Sequence, residues 1–229
     1  MISYDMIKTD DMRYYFCNEL RQKNFVTDKN GGKLIEMIGA CFLADKPSIF
    51  GTPNQDYITR EITWYNSQIG NVNAISGKTP EAWKMAANDY GQVNSNYGQL
   101  IYSDKYFNQY GRVLDELLEN DEGRRAIMVY NRPSIWEEYN EEGKSDFICT
   151  NAVTYYIRND KLFCVVQMRS NDVVFGYKND YAWQLHVLET LVEDYNQCKN
   201  EIIEPITCGD IIWQVQNMHV YERHFDLVK

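Results

Sequence analysis

MRSNDVVFGYKNDYAW, residues 168–183, joins an apolar run, LFCVVQ (162–167), to a periodic one, YAWQLHVLETLVEDY (181–195). The first has the length and composition of a strand, and the second spaces its apolar residues as a helix does. Between them the chain places Arg169, Ser170, Asn171 and Asp172, then Val-Val-Phe-Gly, then Lys178, Asn179 and Asp180. Charge that follows an apolar strand is not buried without a partner. An Arg and a Ser at a strand end suit a phosphate.

Working outward, TNAVTYYIRNDKLFCVVQMRS (150–170) reads as two strands joined at Asn159-Asp160, a hairpin signal. Pairing centred there brings Arg169 close to Cys149. A lone Cys is usually a small core residue; a nucleophile needs a cationic setting that favours thiolate, which Arg169 supplies.

The rest of the chain predicts a helix over 10–24, a Gly-Gly turn in DKNGGK (28–33) and a strand at LIEMIGACFLA (34–44). Asn54 is placed to cap a helix over DYITREITWYNSQ (56–68). Thr79-Pro80 opens another helix, with Gly91 as its stop. A helix over 105–119, a strand in RRAIMVYNRP (124–133) and a last strand in GDIIWQVQNMHVYERHF (209–225) complete the reading. Strands that cluster instead of alternating with helices predict an α+β fold, a sheet packed by helices on one face. No linker or repeat interrupts the 229 residues, so residues 1–229 read as a single domain.

Composition narrows the function. A net charge of −10 argues against nucleic acid or anionic membrane as main partner, but leaves room for a small anion held by local Arg and Lys. The start, MISYDMIKTDDM, is too acidic for a signal peptide, and no apolar run approaches a membrane span. Six cysteines without CxxC spacing read as reduced thiols, so a cytoplasmic protein is expected. The 18 tyrosines suit sites needing an apolar body with a polar tip.

Three further places carry chemistry. Glu61 lies one turn from Trp64 and Tyr65, where the bland reading is a surface ion pair with Arg60. Lys29, Arg124 and Arg125 are cations that, each alone, read as solvated surface. His219 and Tyr221 alternate on a strand and so face one side. No carboxylate completes a metal set around them, and no metal is expected.

Taken in order, Glu61, Trp83, Tyr97, Arg124-Arg125, Cys149, RSxD at 169–172, Phe175-Gly176, an Asn/Asp at 180 and HxY at 219–221 resemble the thymidylate synthase superfamily. The spacings agree: 22 residues from Glu61 to Trp83, 14 to Tyr97, and 20 from Cys149 to Arg169. SDFICTNAV, NDVVFGYKNDYAW, IGACFLAD and HVYERHF are similar to its bacteriophage deoxycytidylate hydroxymethylase branch. Thr150 stands where synthases carry His after the nucleophile, YKND replaces their LPFN, and Asp180 replaces their Asn.

The resemblance implies a thymidylate-synthase-like fold with a twisted mixed sheet, and a homodimer formed sheet to sheet. It implies transfer of a one-carbon unit from 5,10-methylenetetrahydrofolate to C5 of dCMP, then hydration. Cys149 is the implied nucleophile at C6, with Glu61, Tyr97 and Asp180 in proton handling. Lys29, Arg169 and Ser170, with Arg124 and Arg125 from the partner subunit, fall in the phosphate set. Asn171, Asp172, His219 and Tyr221 complete the implied substrate site, and Trp83, Asp172 and Gly176 the folate site. The choice of Asp180 has a chemical reason. Uracil offers an N3–H donor and an O4 acceptor, which Asn complements. Cytosine offers an N3 acceptor and an N4 donor, which a protonated carboxyl complements. A thymidylate synthase, a dUMP or CMP hydroxymethylase and a non-catalytic nucleotide-binding relative are the alternatives.

Overall fold

The computed structural model describes residues 6–28, 31–199 and 204–229. Its strands are β1 (Val26–Thr27), β2 (Lys33–Leu43), β3 (Ile127–Val129), β4 (Thr150–Arg158), β5 (Lys161–Asp172) and β6 (Thr207–Tyr221). They form one six-stranded sheet in the order β1-β2-β6-β5-β4-β3. β5 and β6 pair in parallel and the other neighbours antiparallel, so the sheet is mixed and the fold α+β.

The β4–β5 hairpin forms where expected, because Asn159 and Asp160 both take positive φ (50° and 57°), as a two-residue turn requires. Along β5 the alternation buries Leu162, Cys164, Val166 and Met168 against the helices.

The helices are α1 (Thr9–Gln22), α2 (Gln55–Asn66), α3 (Glu81–Ala86), α4 (Tyr97–Tyr102), α5 (Gln109–Glu119), α6 (Ile135–Glu138) and α7 (Gly176–Cys198). None of the described helices is long and apolar enough to cross a membrane. α7 lies on β5 and β6 and buries Tyr177, Trp183, Val187, Leu188, Leu191 and Tyr195, at helical spacing. Asn54 caps α2 by accepting from the Tyr57 amide.

Several boundaries differ from expectation. α7 begins at Gly176, so Lys178, Asn179 and Asp180 lie inside the helix and not ahead of it. The Asp172 carboxylate accepts from the Val174 and Phe175 amides, and the fully buried Tyr177 donates to the Lys46 carbonyl. These tertiary anchors extend the helix through residues whose composition reads as loop. α3 starts with Pro80 and not Thr79 at its N-cap and stops at Ala86. Gly91 instead takes φ +81° in the loop beyond. The 105–119 helix is broken at Phe107 and Asn108, both at positive φ, and the 124–133 strand is reduced to three edge residues.

α4 is a helix that periodicity did not indicate. It packs close to α2 because Gly98 has no side chain: a Cβ there would sit 1.9 Å from the Tyr65 carbonyl oxygen. This approach stacks Tyr97 on Tyr65, with ring centroids 5.2 Å apart.

Candidate active site

Cys149 immediately precedes β4. The Arg169 amide donates to the Cys149 carbonyl at 2.9 Å, so the hairpin register fixes the two as neighbours. The Arg169 guanidinium donates through Nε to the Ile148 carbonyl (3.0 Å) and through Nη2 to the Phe147 carbonyl (2.6 Å). It lies over the Phe147 ring with Nη2 3.6 Å from Sγ of Cys149. Its remaining nitrogen, Nη1, has no hydrogen-bond partner among the described residues. Burial pushes the Cys149 thiol up to about 11, Arg169 pulls it down, and Asp180 and Asp146 push it up. The resting group is therefore a thiol.

Asp180, on the first turns of α7, faces the same place. Its Oδ2 accepts from Nδ2 of Asn171 at 2.7 Å. Burial, and then the Glu61 charge, hold its carboxyl well above the ordinary carboxylate range. Asp180 and Cys149 both keep partial solvent contact although protein surrounds them on most sides, as groups on the floor of a cleft do.

Glu61 is not the surface ion pair of the bland reading. Arg60 pairs with Asp56, whereas Glu61 is buried. Its Oε1 accepts from Nε1 of Trp83 at 2.8 Å and from the Tyr57 hydroxyl. Burial raises its pKa, against which these two donors act. Both donors converge on one oxygen, and Oε2 has no hydrogen-bond partner among the described residues, so it can take a water or a substrate. Tyr57 was not singled out from sequence, yet it lies four residues before Glu61 on one helix face, a spacing that could have found it.

Tyr97 is buried against Tyr65 and Tyr130, and the charges of Asp180 and Cys149 both raise its already elevated pKa. Glu61, Tyr97, Cys149 and Asp180 thus act on one another, though α2, α4, the approach to β4 and α7 deliver them.

His219 pairs with Asp172 across β5 and β6, and its ring meets Tyr221 edge-on at 4.7 Å, so the HxY residues do share a side. Burial lowers the His219 pKa, leaving the ring neutral. Tyr221 is close enough to feel the charges of Asp172 and Cys149. Ser170 lies on β5 beside Arg169, facing Asn217 of β6. Asp172 opens α7, as described, and its Oδ2 lies 3.7 Å from Nδ1 of His224. His224 also contacts the Phe175 ring, with centroids 4.9 Å apart. Gly176 gives room to the Asn171 amide, which a Cβ would approach to 3.3 Å. Half-buried Trp83 and Phe175, a residue 45% exposed, offer flat aromatic surface.

Arg124 and Arg125, expected at the site of a partner subunit, lie away from the site of their own chain. Arg124 and Arg125 are exposed, and Arg125 pairs with Glu116 at 3.1 Å. The Ala126 carbonyl bonds the Tyr155 amide, far along β4 from Cys149 and roughly 20 Å away at about 3.3 Å per residue. They therefore do not serve the site of their own chain. Lys29 lies outside the described residues.

The family model described as thymidylate synthase matches residues 53–229. The chain is 49% identical over 228 residues to the deoxycytidylate 5-hydroxymethyltransferase of Enterobacteria phage T4, covering 100% of this chain and 92% of that protein. It has the same identity and coverage against the enzyme of that name from phage T6. It is 29% identical over 175 residues to a thymidylate synthase of Fusobacterium nucleatum, covering 73% of this chain and 57% of the synthase. The chain belongs to the thymidylate synthase family.

Proposed function

We propose, from its place in the thymidylate synthase family, that the chain is a deoxycytidylate 5-hydroxymethyltransferase. It converts dCMP to 5-hydroxymethyl-dCMP. The observation that carries the choice of base is the Asp180 carboxyl, largely enclosed by protein, held by Asn171 and within electrostatic reach of Cys149. A neutral carboxyl both donates and accepts, which matches N3 and N4 of cytosine. The family implies a folate as one-carbon donor, here 5,10-methylenetetrahydrofolate, which supplies the methylene and leaves as tetrahydrofolate. Trp83 and Phe175 suit a flat heteroaromatic ligand, since both keep open surface, and Gly176 next to Phe175 carries no side chain.

C5 of a pyrimidine is a poor nucleophile. Cys149 adds through sulfur to C6, and Asp180 delivers its proton to the N3/N4 edge, which makes C5 enamine-like. The thiol must lose its proton first, and Arg169 is the cation that stabilises the thiolate. Tyr97 takes part, through water, in removing the C5 proton after the methylene is captured. Glu61, with Oε1 anchored, holds and deprotonates the water that adds to the exocyclic carbon once tetrahydrofolate has left; the C6–S bond then breaks, returning Cys149 as thiolate and the N3 proton to Asp180. Arg169 and Ser170, with Lys29, hold the phosphate, and His219 and Tyr221 hold the sugar. Asp172 supports both substrate and folate positions by setting the start of α7.

The same reading includes a homodimer. The sheet face turned away from the helices carries Phe163, Val165, Gln167, Ile212 and Gln214 by alternation, with Ile127 and Val129 exposed on the β3 edge. A face of this kind supports sheet-to-sheet pairing, in which Arg124 and Arg125 reach the partner's phosphate site. The deciding experiment is the mass of the product from dCMP, methylenetetrahydrofolate and enzyme. A mass of dCMP plus one hydroxymethyl group is expected; a methylated product would overturn the assignment.

A further inference from the structure

Asn171 fell in the implied substrate site, but both ends of its amide are already used inside the protein. It is 3% exposed, its Nδ2 donates to Asp180, and its Oδ1 lies 3.3 Å from Nε1 of Trp213, which is fully buried on β6. An amide can in principle be placed either way round. Here one orientation is excluded, because an indole N–H can only donate. The Asn171 oxygen must face Trp213, and its NH2 must face Asp180.

We infer that Trp213 and Asn171 form a positioning relay that keeps the proton of Asp180 on the oxygen facing the substrate. The inference rests on the dCMP reading above. A neutral carboxyl has one carbonyl oxygen and one hydroxyl. The Asn171 N–H takes Oδ2 as its acceptor, so Oδ2 is the carbonyl and Oδ1 bears the hydrogen that N3 of cytosine needs. With the amide reversed, Asp180 would donate its hydrogen to Asn171 and present a bare carbonyl to the base. That edge repels the N3 lone pair of cytosine but suits the N3–H of uracil. Trp213 therefore acts on base choice through two hydrogen bonds without touching the substrate. Gly176 keeps the relay close packed, since a Cβ there would stand 3.3 Å from Nδ2 of Asn171.

Other groups share this field. Glu61 and Tyr65 from α2, Tyr97 from α4, Cys149 before β4 and Asp172 on β5 all interact electrostatically with Asp180. A relay effect must be separated from theirs, so the test varies only Trp213 and Asn171.

Trp213→Phe keeps an aromatic ring and removes the donor; Asn171→Ala removes the amide. For each variant, thermal melting checks folding, and kcat and KM are measured for dCMP and dUMP across pH. In Trp213→Phe the ratio of kcat/KM for dCMP over dUMP should fall about tenfold, the scale of one hydrogen bond. The loss for dCMP should lie in kcat, with KM little changed. The alkaline limb of the dCMP profile should move to higher pH, because the carboxylate loses an N–H donor. Asn171→Ala should move the ratio and the limb in the same directions. A folded variant of either kind with the wild-type ratio and limb overturns the relay. If the wild-type protein itself makes no 5-hydroxymethyl-dCMP, the functional reading falls, and the inference with it.

Discussion

Nη2 of Arg169 lies 3.6 Å from Sγ of Cys149, and the same guanidinium holds the carbonyls of Phe147 and Ile148 just before the cysteine. One side chain thus sets both the position and the charge environment of the nucleophile. Arg169→Gln should raise the thiol pKa further above its value of about 11. Iodoacetamide labelling of Cys149 at pH 8, followed by peptide mass, should then be slower than in the wild type. Equal labelling would mean that the guanidinium does not govern the thiol.

Cys149→Ala should abolish product formation and also the exchange of the C5 hydrogen of dCMP with water, since exchange needs the sulfur adduct. Replacement of Cys17, Cys41, Cys164 or Cys198 should leave exchange largely intact. An alanine variant that still exchanged would remove Cys149 from the mechanism.

Tyr57 and Trp83 both donate to Oε1 of Glu61, so their work is to aim Oε2. Tyr57→Phe should lower kcat about tenfold or more, the scale of a hydrogen bond to a charged group, with dCMP affinity nearly unchanged. Glu61→Gln should slow release of hydroxymethylated product far more than it weakens dCMP binding. Neither variant should produce dihydrofolate, and a stoichiometric rise in its absorbance would mark a synthase instead.

Asp180→Asn tests base reading and stability together. Asn cannot protonate N3, so kcat/KM should fall strongly for dCMP and rise for dUMP; sites built around one polar contact discriminate by about 10⁴–10⁵ in favourable cases. The stability effect has a definite sign. The folded-state pKa of Asp180 is raised above 3.8, so its contribution to stability is fullest below about that pH and is lost as pH rises through the folded value. At pH 7 the carboxyl is a net cost, and Asp180→Asn should raise Tm there, with the gain shrinking toward pH 4. Each kcal/mol relieved corresponds to about 2–4 °C. A lower Tm at pH 7 would contradict the burial argument.

Arg125 is held by Glu116, far along β4 from Cys149. If it serves the partner's site, mixing inactive Arg125→Ala and Cys149→Ala chains after subunit exchange should restore activity, because some mixed sites carry both native residues. No recovery in a confirmed mixed dimer would leave Arg125 a surface residue.

Local chemistry made much of this protein legible in its sequence. The Asn159-Asp160 turn specified the hairpin, hairpin register brought Arg169 to Cys149, and strand alternation put His219 and Tyr221 on one side. These are short-range consequences of backbone geometry, and the ordered motifs around them carried the family. The start of α7 was not legible, because Tyr177 and Asp172 stabilise it through contacts that no local propensity contains. Nor was the hydrogen bond from Trp83 to Glu61, or the orientation of Asn171 by Trp213. Trp213 stands 42 residues from Asn171 and meets it because β5 and β6 are neighbours in the sheet. Residue types and spacings announced which groups carry the chemistry. Which oxygen of each carboxyl is free depends also on donors that other elements bring in, Trp83 to Glu61 and Asn171 to Asp180, and that only the tertiary structure decides.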